Sequence, residues 1–428
     1  MAKILIKNGR VVDPAANIDG KRDVLIDNGK IIQVKAGIKA TNAKIIDAAG
    51  LLVLPGLIDM HVHLRDPGRP DKETIASGSR AAALGGFTTV CCMANTNPVV
   101  DNPAVVKYIV EKARSEAVVN VLPIGAVTRG LQGELLTEMA MMIEEGAVAF
   151  SDDGKPIMDA SVMRKALEYA SQFDVPIISH CEDLNLSHGG AMNEGALSTA
   201  IGLPGIPAVS EENMIERDVK LAEKFGQAHI AHVSSAGSVE SIRKAKKKKV
   251  KVTCETCPHY FSLTEAAVKD YDTNAKVNPP LKTKKDVQAI IKGLRDNTID
   301  VIATDHAPHN IEEKNIEFNQ AASGMVGLET ALALALTKLV NENKLNLKQV
   351  IAQMTINPAR ILGINKGTLK AGADADIIIV DPKQKWLVDP SKFASQSKNT
   401  PFAGWELQGK VLYTIVSGKI VVHNGQIS

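Results

Sequence analysis

The chain has 428 residues, 45% of them hydrophobic and 23% charged, a globular composition long enough for a large core and too mixed for a disordered tail. Lys and Arg total 50 against 48 Asp and Glu, so the net charge of +2 excludes an overall field for gripping nucleic acid or anionic lipid. Length alone permits two or three domains, or one α/β barrel with an appendage.

Near the N-terminus, residues 4–12 and 24–32 alternate apolar and polar positions around Asn8-Gly9 and Asn28-Gly29. Asn-Gly tolerates the positive φ of tight turns, so both segments are predicted to be β-hairpins. The first residues lack the apolar core of a signal peptide, and no apolar run reaches the roughly 18 residues of a membrane span. A soluble, cytoplasmic protein is expected.

From about residue 56 to 360 the texture changes to eight short apolar runs, starting at Leu57, Thr88, Val118, Ala147, Pro176, His229, Lys251 and Asp300. Helical patterns separate them, which predicts an α/β fold of the (β/α)8 TIM-barrel type. An open doubly wound sheet gives the same local pattern, but no Gly-rich dinucleotide fingerprint follows the early strands. The basic run 243–249 is predicted to be the solvated end of a helix, where lysines suit the macrodipole. Hairpin texture returns at residues 409–422 and Asn424-Gly425. Residues 1–55 and 361–428 are therefore expected to form one small composite β-sandwich around a barrel of residues 56–360.

The five cysteines are odd in number and mostly set in apolar runs, as in a reducing compartment. Cys254-Glu-Thr-Cys257 has no second cysteine pair, so two buried thiols are expected there and not structural zinc.

Barrel enzymes place their chemistry at the C-terminal ends of the strands. The first run closes on His61-Val62-His63, and residues two apart in a strand point the same way, so both imidazoles can share a metal. His-x-His is common by chance, but the fourth run closes on Asp152-Asp153, the fifth on His180, the sixth on His232 and the eighth on Asp305. Four histidines with carboxylates suit zinc or a similar metal. Six candidate ligands exceed what one tetrahedral ion takes, which predicts two metals with a carboxylate bridge. His229 has opposite parity to His232 and is expected to point outward, toward the helices. His188 and His423 are expected at the surface, His259 and His306 as supports of the site, and His309 within reach of a ligand at the barrel mouth.

The block Pro55-Gly-Leu-Ile-Asp-Met-His-Val-His-Leu-Arg-Asp-Pro-Gly68, with Phe150-Ser-Asp-Asp-Gly154, His180, His232 and Ala303-Thr-Asp-His-Ala-Pro-His309, resembles the amidohydrolase superfamily. Within it the pattern is similar to the longer class of bacterial dihydroorotases. The resemblance covers nearly the whole chain, including Asn357-Pro-Ala-Arg360 and Gly372-Ala-Asp-Ala-Asp-Ile377. It implies two zinc ions, His61, His63 and Asp305 holding one, His180 and His232 the other. Asp153 would bridge them where many relatives use a carboxylated lysine; Lys155, beyond Gly154, is not assigned that role. Two cations lower the pKa of a shared water far below its bulk value. Asp305 would take a proton from that water and pass it to the departing amide nitrogen.

The activity so implied is the reversible interconversion of dihydroorotate and N-carbamoyl-L-aspartate in pyrimidine synthesis. Arg65 offers a guanidinium fork for the substrate carboxylate, with Asn95 and His309 beside it. The resemblance also implies that His63 and Asn278 face the substrate, and that Ser323 and Gly324 contact it through the backbone. Ala322-Ser-Gly324 departs there from the Pro-Phe-Gly common in relatives. Glu255-Thr-Cys-Pro-His-Tyr260 also occurs in allantoinase-like and dihydropyrimidinase-like relatives, so a neutral cyclic amide is the alternative substrate. A non-catalytic scaffold for aspartate carbamoyltransferase is the alternative of another class, and the six intact ligands stand against it. A homodimer and association with that transferase follow from the family alone. The loops 187–195 and 310–323 are expected to close over the site.

Overall fold

The computed structural model describes residues 3–428. Eight parallel strands follow one another in chain order around a barrel: Leu57–Val62, Phe87–Cys92, Asn120–Gly125, Ala149–Ser151, Ile177–Ser179, Ala228–Ile230, Val252–Thr256 and Val301–Ile302. Each overlaps one of the eight apolar runs. Their alternation sorts side chains between two cores, as the period of two in a strand requires. Val90 and Cys92 pack toward the helices, whereas Cys91 and Met93 join Ile58, Met60, Ile124 and Ile178 in the barrel interior.

The last strand is short, and its junction with the first relies on a side chain. Asp59 Oδ1 accepts from the backbone N–H groups of Thr304 and His61, both at 3.1 Å, while His63 N–H donates to the His306 carbonyl at 2.8 Å. Burial pushes the Asp59 carboxyl up to about 7. The first barrel helix, Ile75–Gly85, starts from a Thr74–Ser77 capping box and stops at Gly86, whose φ of 89° only glycine adopts freely. Ala236–Lys247 ends in the basic run, as expected.

Strands from both termini form a nine-stranded sheet. Leu52–Pro55 lies near its centre, parallel to Lys3–Asp13 on one side and antiparallel to Ile377–Leu387 on the other. Ile4, Val24, Ile26, Ile31, Ile377 and Ile415 share one core, so the sheet curls around itself. Its far edge is fastened back by Ile31 N–H to the Ala373 carbonyl, at 2.9 Å. The two layers of the expected sandwich are thus parts of one continuous sheet.

Asn28-Gly29 and Asn424-Gly425 make the tight turns their sequence predicts. Asn8-Gly9 does not. Lys3–Asp13 runs straight through it, and the positive φ of Asn8, 65°, is absorbed as a bulge between Ile6 and Gly9. Asn8 N–H is held by Asp23 Oδ1 at 2.9 Å, and a Cβ on Gly9 would lie 2.4 Å from Val53 Cγ2. Close packing against Val53 explains the glycine better than a turn does.

All five cysteines are buried free thiols. Among the described residues no helix is long and apolar enough to cross a membrane.

Candidate active site

Four imidazoles surround one carboxylate at the C-terminal ends of the strands. Asp153 lies 3.4 Å from His61 Nε2, 3.3 Å from His63 Nε2, 3.6 Å from His180 Nδ1 and 3.4 Å from His232 Nε2. Asp305 Oδ1 joins from the eighth strand, 3.2 Å from His63 Nε2 and 3.5 Å from His61 Nε2. Two groups of ligand atoms are compact enough for an ion, His61 with His63 and Asp305, and His61 with Asp153 and His232. The first coincides with an expected ligand set. In the second, His61 stands where His180 was expected, and His180 Nδ1 lies beside it, 2.8 Å from His232 Nε2.

The donor set fits a metal. His61 Nε2 and Asp153 Oδ1 are buried without a hydrogen-bond partner among the described residues, and buried polar atoms are rarely left so. Burial alone would drive the Asp153 and Asp305 carboxyls toward the neutral form, yet the facing histidines hold both well below the usual carboxylate range.

The outward nitrogens of three of these histidines are fixed by partners, which sets tautomer and ring orientation. His61 Nδ1 meets Glu255 Oε1 at 2.5 Å, His63 Nδ1 meets Asn95 Oδ1 at 2.8 Å and His180 Nε2 meets Glu182 Oε2 at 3.0 Å. Burial opposes the charge on His180, but Asp153 and Glu182 carry its pKa up to about 10. Asn278 Nδ2 donates to the same Glu182 oxygen at 2.9 Å.

Sequence reasoning assigned no role to Glu255 or Glu182, because an orienting carboxylate has no spacing signal of its own. It also misplaced His229. Ile230 packs toward the helices and Ala231 toward the barrel interior, so His229 faces inward, bonded to Thr253 Oγ1 at 2.8 Å and to Glu255 Oε2 at 3.3 Å. Parity failed because the strand stops at Ile230 and His232 lies beyond it at a φ of 34°.

A cavity of about 240 Å³ opens above the cluster. Every expected site residue lines it except His61, which lies fully buried beneath. Arg65 forms part of the wall, its Nε donating to the Pro308 carbonyl at 3.2 Å and its Nη2 3.3 Å from His309 Nε2. Burial lowers the Arg65 pKa to about 10, and burial beside Arg65 lowers that of His309 to about 3, so the imidazole is neutral. His309 Nε2 also lies 3.0 Å from the Ser323 carbonyl, and Nδ1 lies 2.9 Å from Glu313, itself paired with Lys72 at 2.7 Å. Asn95, besides its bond to His63, donates to the Asp153 carbonyl at 3.3 Å.

The remaining candidates fall outside the cavity. His306 turns away to Glu73, 3.3 Å distant, and His259 packs its ring against Tyr260 with centroids 4.2 Å apart. His188, His423 and Lys155 are exposed. The loop 310–323 is tied down by buried lysines: Lys276 donates to the Phe318 and Asn319 carbonyls, Lys314 to those of Ala322 and Gly324. A larger cavity, about 950 Å³ between the barrel and the terminal sheet, is lined by Leu84, Glu329, Trp386 and Lys410. It gathers no convergent ligands, and size without chemistry does not make it the active site.

A barrel with buried imidazoles and carboxylates converging at its strand ends defines a metal-dependent hydrolytic enzyme. The chain belongs to the amidohydrolase family, which matches residues 52–421. It is 57% identical over 420 residues to a dihydroorotase of Acetivibrio thermocellus, covering 98% of this chain and 99% of the relative. It is 56% identical over 422 residues to a dihydroorotase of Syntrophus aciditrophicus, with the same coverage of both chains. Among solved structures, the L-hydantoinase of Arthrobacter aurescens superposes with a TM-score of 0.91 at 26% identity, covering 100% of this chain and 98% of that one. A dihydropyrimidinase from Brevibacillus agri gives 0.86 at 25% identity, covering 99% and 96%.

Proposed function

We propose that this chain is a dihydroorotase, interconverting dihydroorotate and N-carbamoyl-L-aspartate. The observation that carries the reading is Arg65: a guanidinium in the wall of a metal-ligand cavity whose hydrogen bonds among the described residues go to a carbonyl and a neutral imidazole. A desolvated cation with no anion in hydrogen-bond contact is costly, and a substrate carboxylate would supply that partner. Neutral hydantoin or allantoin rings have no group to do so. The relatives above 50% identity bear the same name, which supports the assignment.

In this reading His61, His63 and Asp305 would hold one zinc ion and His180 and His232 a second, with Asp153 as the carboxylate they would share. The metals supply Lewis acidity and make water a nucleophile near neutral pH. Asp305 lines the cavity and is placed to take the proton of the attacking water and deliver it to the departing ring nitrogen. Arg65, Asn95 and His309 seat the carboxylate, Asn278 and the Ser323-Gly324 backbone seat the ring, and His63 lies between ligand cluster and substrate. Residues 56–360 are the catalytic barrel in this scheme, and 1–55 with 361–428 the composite β domain. The setting is cytoplasmic. A homodimer and an assembly with aspartate carbamoyltransferase belong to the same reading, and size-exclusion chromatography with and without the transferase tests both.

The deciding assay compares hydrolysis of dihydroorotate with that of dihydrouracil, hydantoin and allantoin. Dihydroorotate should be preferred, and Arg65→Met should lower kcat/KM for it by roughly 10²-fold or more, the loss expected when a charge-assisted bidentate contact is removed. Faster turnover of a neutral ring by the unaltered enzyme would overturn the reading.

A further inference from the structure

Asn399 lies in the connection between Ile377–Leu387 and Glu406–Val416, far along the chain from every residue that lines the cavity. Its side chain nevertheless reaches two of the loops that build the wall. Asn399 Oδ1 accepts from the His309 N–H at 3.1 Å, and Nδ2 donates to the carbonyls of Ala307, at 3.2 Å, and Gly324, at 3.1 Å. Its own carbonyl accepts from Val326 N–H at 2.9 Å. The residue is only 5% exposed, so water does not substitute for these bonds.

A carboxamide is the neutral side chain that offers an acceptor and two donors in one plane. Here that fork satisfies one N–H and two C=O groups of irregular backbone that no strand ladder covers. The loops touch directly as well, since a Cβ on Gly324 would lie 2.7 Å from Ala307 Cβ. The approach of Asn399 is itself anchored. Gln396 N–H donates to Glu73 Oε1 at 3.2 Å, Ser397 Oγ to the Lys72 carbonyl at 2.7 Å, and Ser395 N–H to Glu329 Oε1 at 3.1 Å. Residues 395–399 form a strap across the loop after the first barrel strand, ending at the carboxylate side of the cavity.

We propose that Asn399 is a positioning residue of the carboxylate-binding wall, setting the spacing of His309 and Gly324 from behind. The inference rests on the dihydroorotase reading. It assigns the appended terminal segment a part in substrate recognition, without contact to the metal ligands.

The test is steady-state kinetics on metal-loaded Asn399→Ala, with bound metal measured per chain. Losing the fork frees the His309 N–H and the Ala307 carbonyl and leaves the Gly324 carbonyl to Lys314, so KM for dihydroorotate should rise about 10-fold or more while kcat changes less than about 3-fold. Metal content should stay at the level of the unaltered enzyme. Ser391→Ala, in the same connection but exposed and bonded to Asp389 away from the strap, should leave KM unchanged. If Asn399→Ala is insoluble, Asn399→Asp answers the same question: it keeps the acceptor for His309, loses both donors and should raise KM likewise. An unchanged KM, or loss of kcat together with metal, would overturn the proposal. Inactivity of the unaltered enzyme on dihydroorotate would instead overturn the function on which it rests.

Discussion

Arg65, His232 and Asp305 sit at φ values of 56°, 34° and 49°, a region that L side chains mostly avoid. Each follows a barrel strand and turns the chain so that its side chain faces the cavity. Local strain of this kind persists where the surroundings over-determine it, and here it gathers at the reacting centre. In the proposed mechanism Asp305 is the residue on which proton transfer rests. Asp305→Asn keeps the shape and removes the base, so turnover should fall by roughly 10²–10⁴-fold, the range of general acid–base contributions. Metal analysis should find the ions still bound, since four histidines and Asp153 remain; retention of substantial turnover would refute the role. At this scale the ligands were legible because a strand end fixes which way a residue points. Glu255 and Asn399 were not, because each acts through partners distant in sequence, and Glu182 was not, because a carboxylate two residues from His180 carries no signal of its own.

Among the elements, the eight strands were readable from apolar runs alone, and the helices from the helical patterns between them. Parity within a strand was dependable only as far as the ladder extends, as His229 shows. The Asn8-Gly9 pair misled for a related reason: positive φ serves a bulge as well as a turn, and only the Val53 contact tells them apart. Close approach of another kind governs the last turn of Ile75–Gly85. A Cβ on Gly85 would lie 2.1 Å from the Leu328 carbonyl oxygen, which is backbone and cannot rotate away. Gly85→Ala should therefore destabilise the chain by about 1–3 kcal/mol, the usual cost of overpacking, even though alanine is the better helix former. Thermal denaturation beside Gly20→Ala, where a Cβ would meet nothing closer than Arg22 Nη1 at 3.7 Å, separates packing from any general effect of the substitution.

For the molecule as a whole, composition predicted a large core and near-neutral charge predicted local recognition, and both agree with a site built from one guanidinium and a buried ligand cluster. The joining of both termini in one sheet was legible as a repeated texture. Its curl was not, since curvature depends on which edges meet. The ligand cluster also couples the metal to stability. Without ions, four imidazoles and two carboxylates are packed at 3.2–3.6 Å with three atoms, His61 Nε2, His232 Nδ1 and Asp153 Oδ1, orphaned among the described residues. An ion that binds only the folded chain adds about 2.7 kcal/mol at a hundredfold excess over its Kd. Chelation should thus lower the Tm by several degrees and zinc should restore it, whereas an unchanged Tm would show that the cluster binds no ion tightly.

The sheet also orders events during synthesis. Leu52–Pro55 is made early, but its antiparallel partner Ile377–Leu387 leaves the ribosome only after every metal ligand has emerged. A nascent chain that has reached the end of the barrel holds all six candidate ligands and Arg65, yet lacks the strap that carries Asn399. In the proposed scheme translation thus delivers the parts for metal capture first and the part that tunes substrate recognition last.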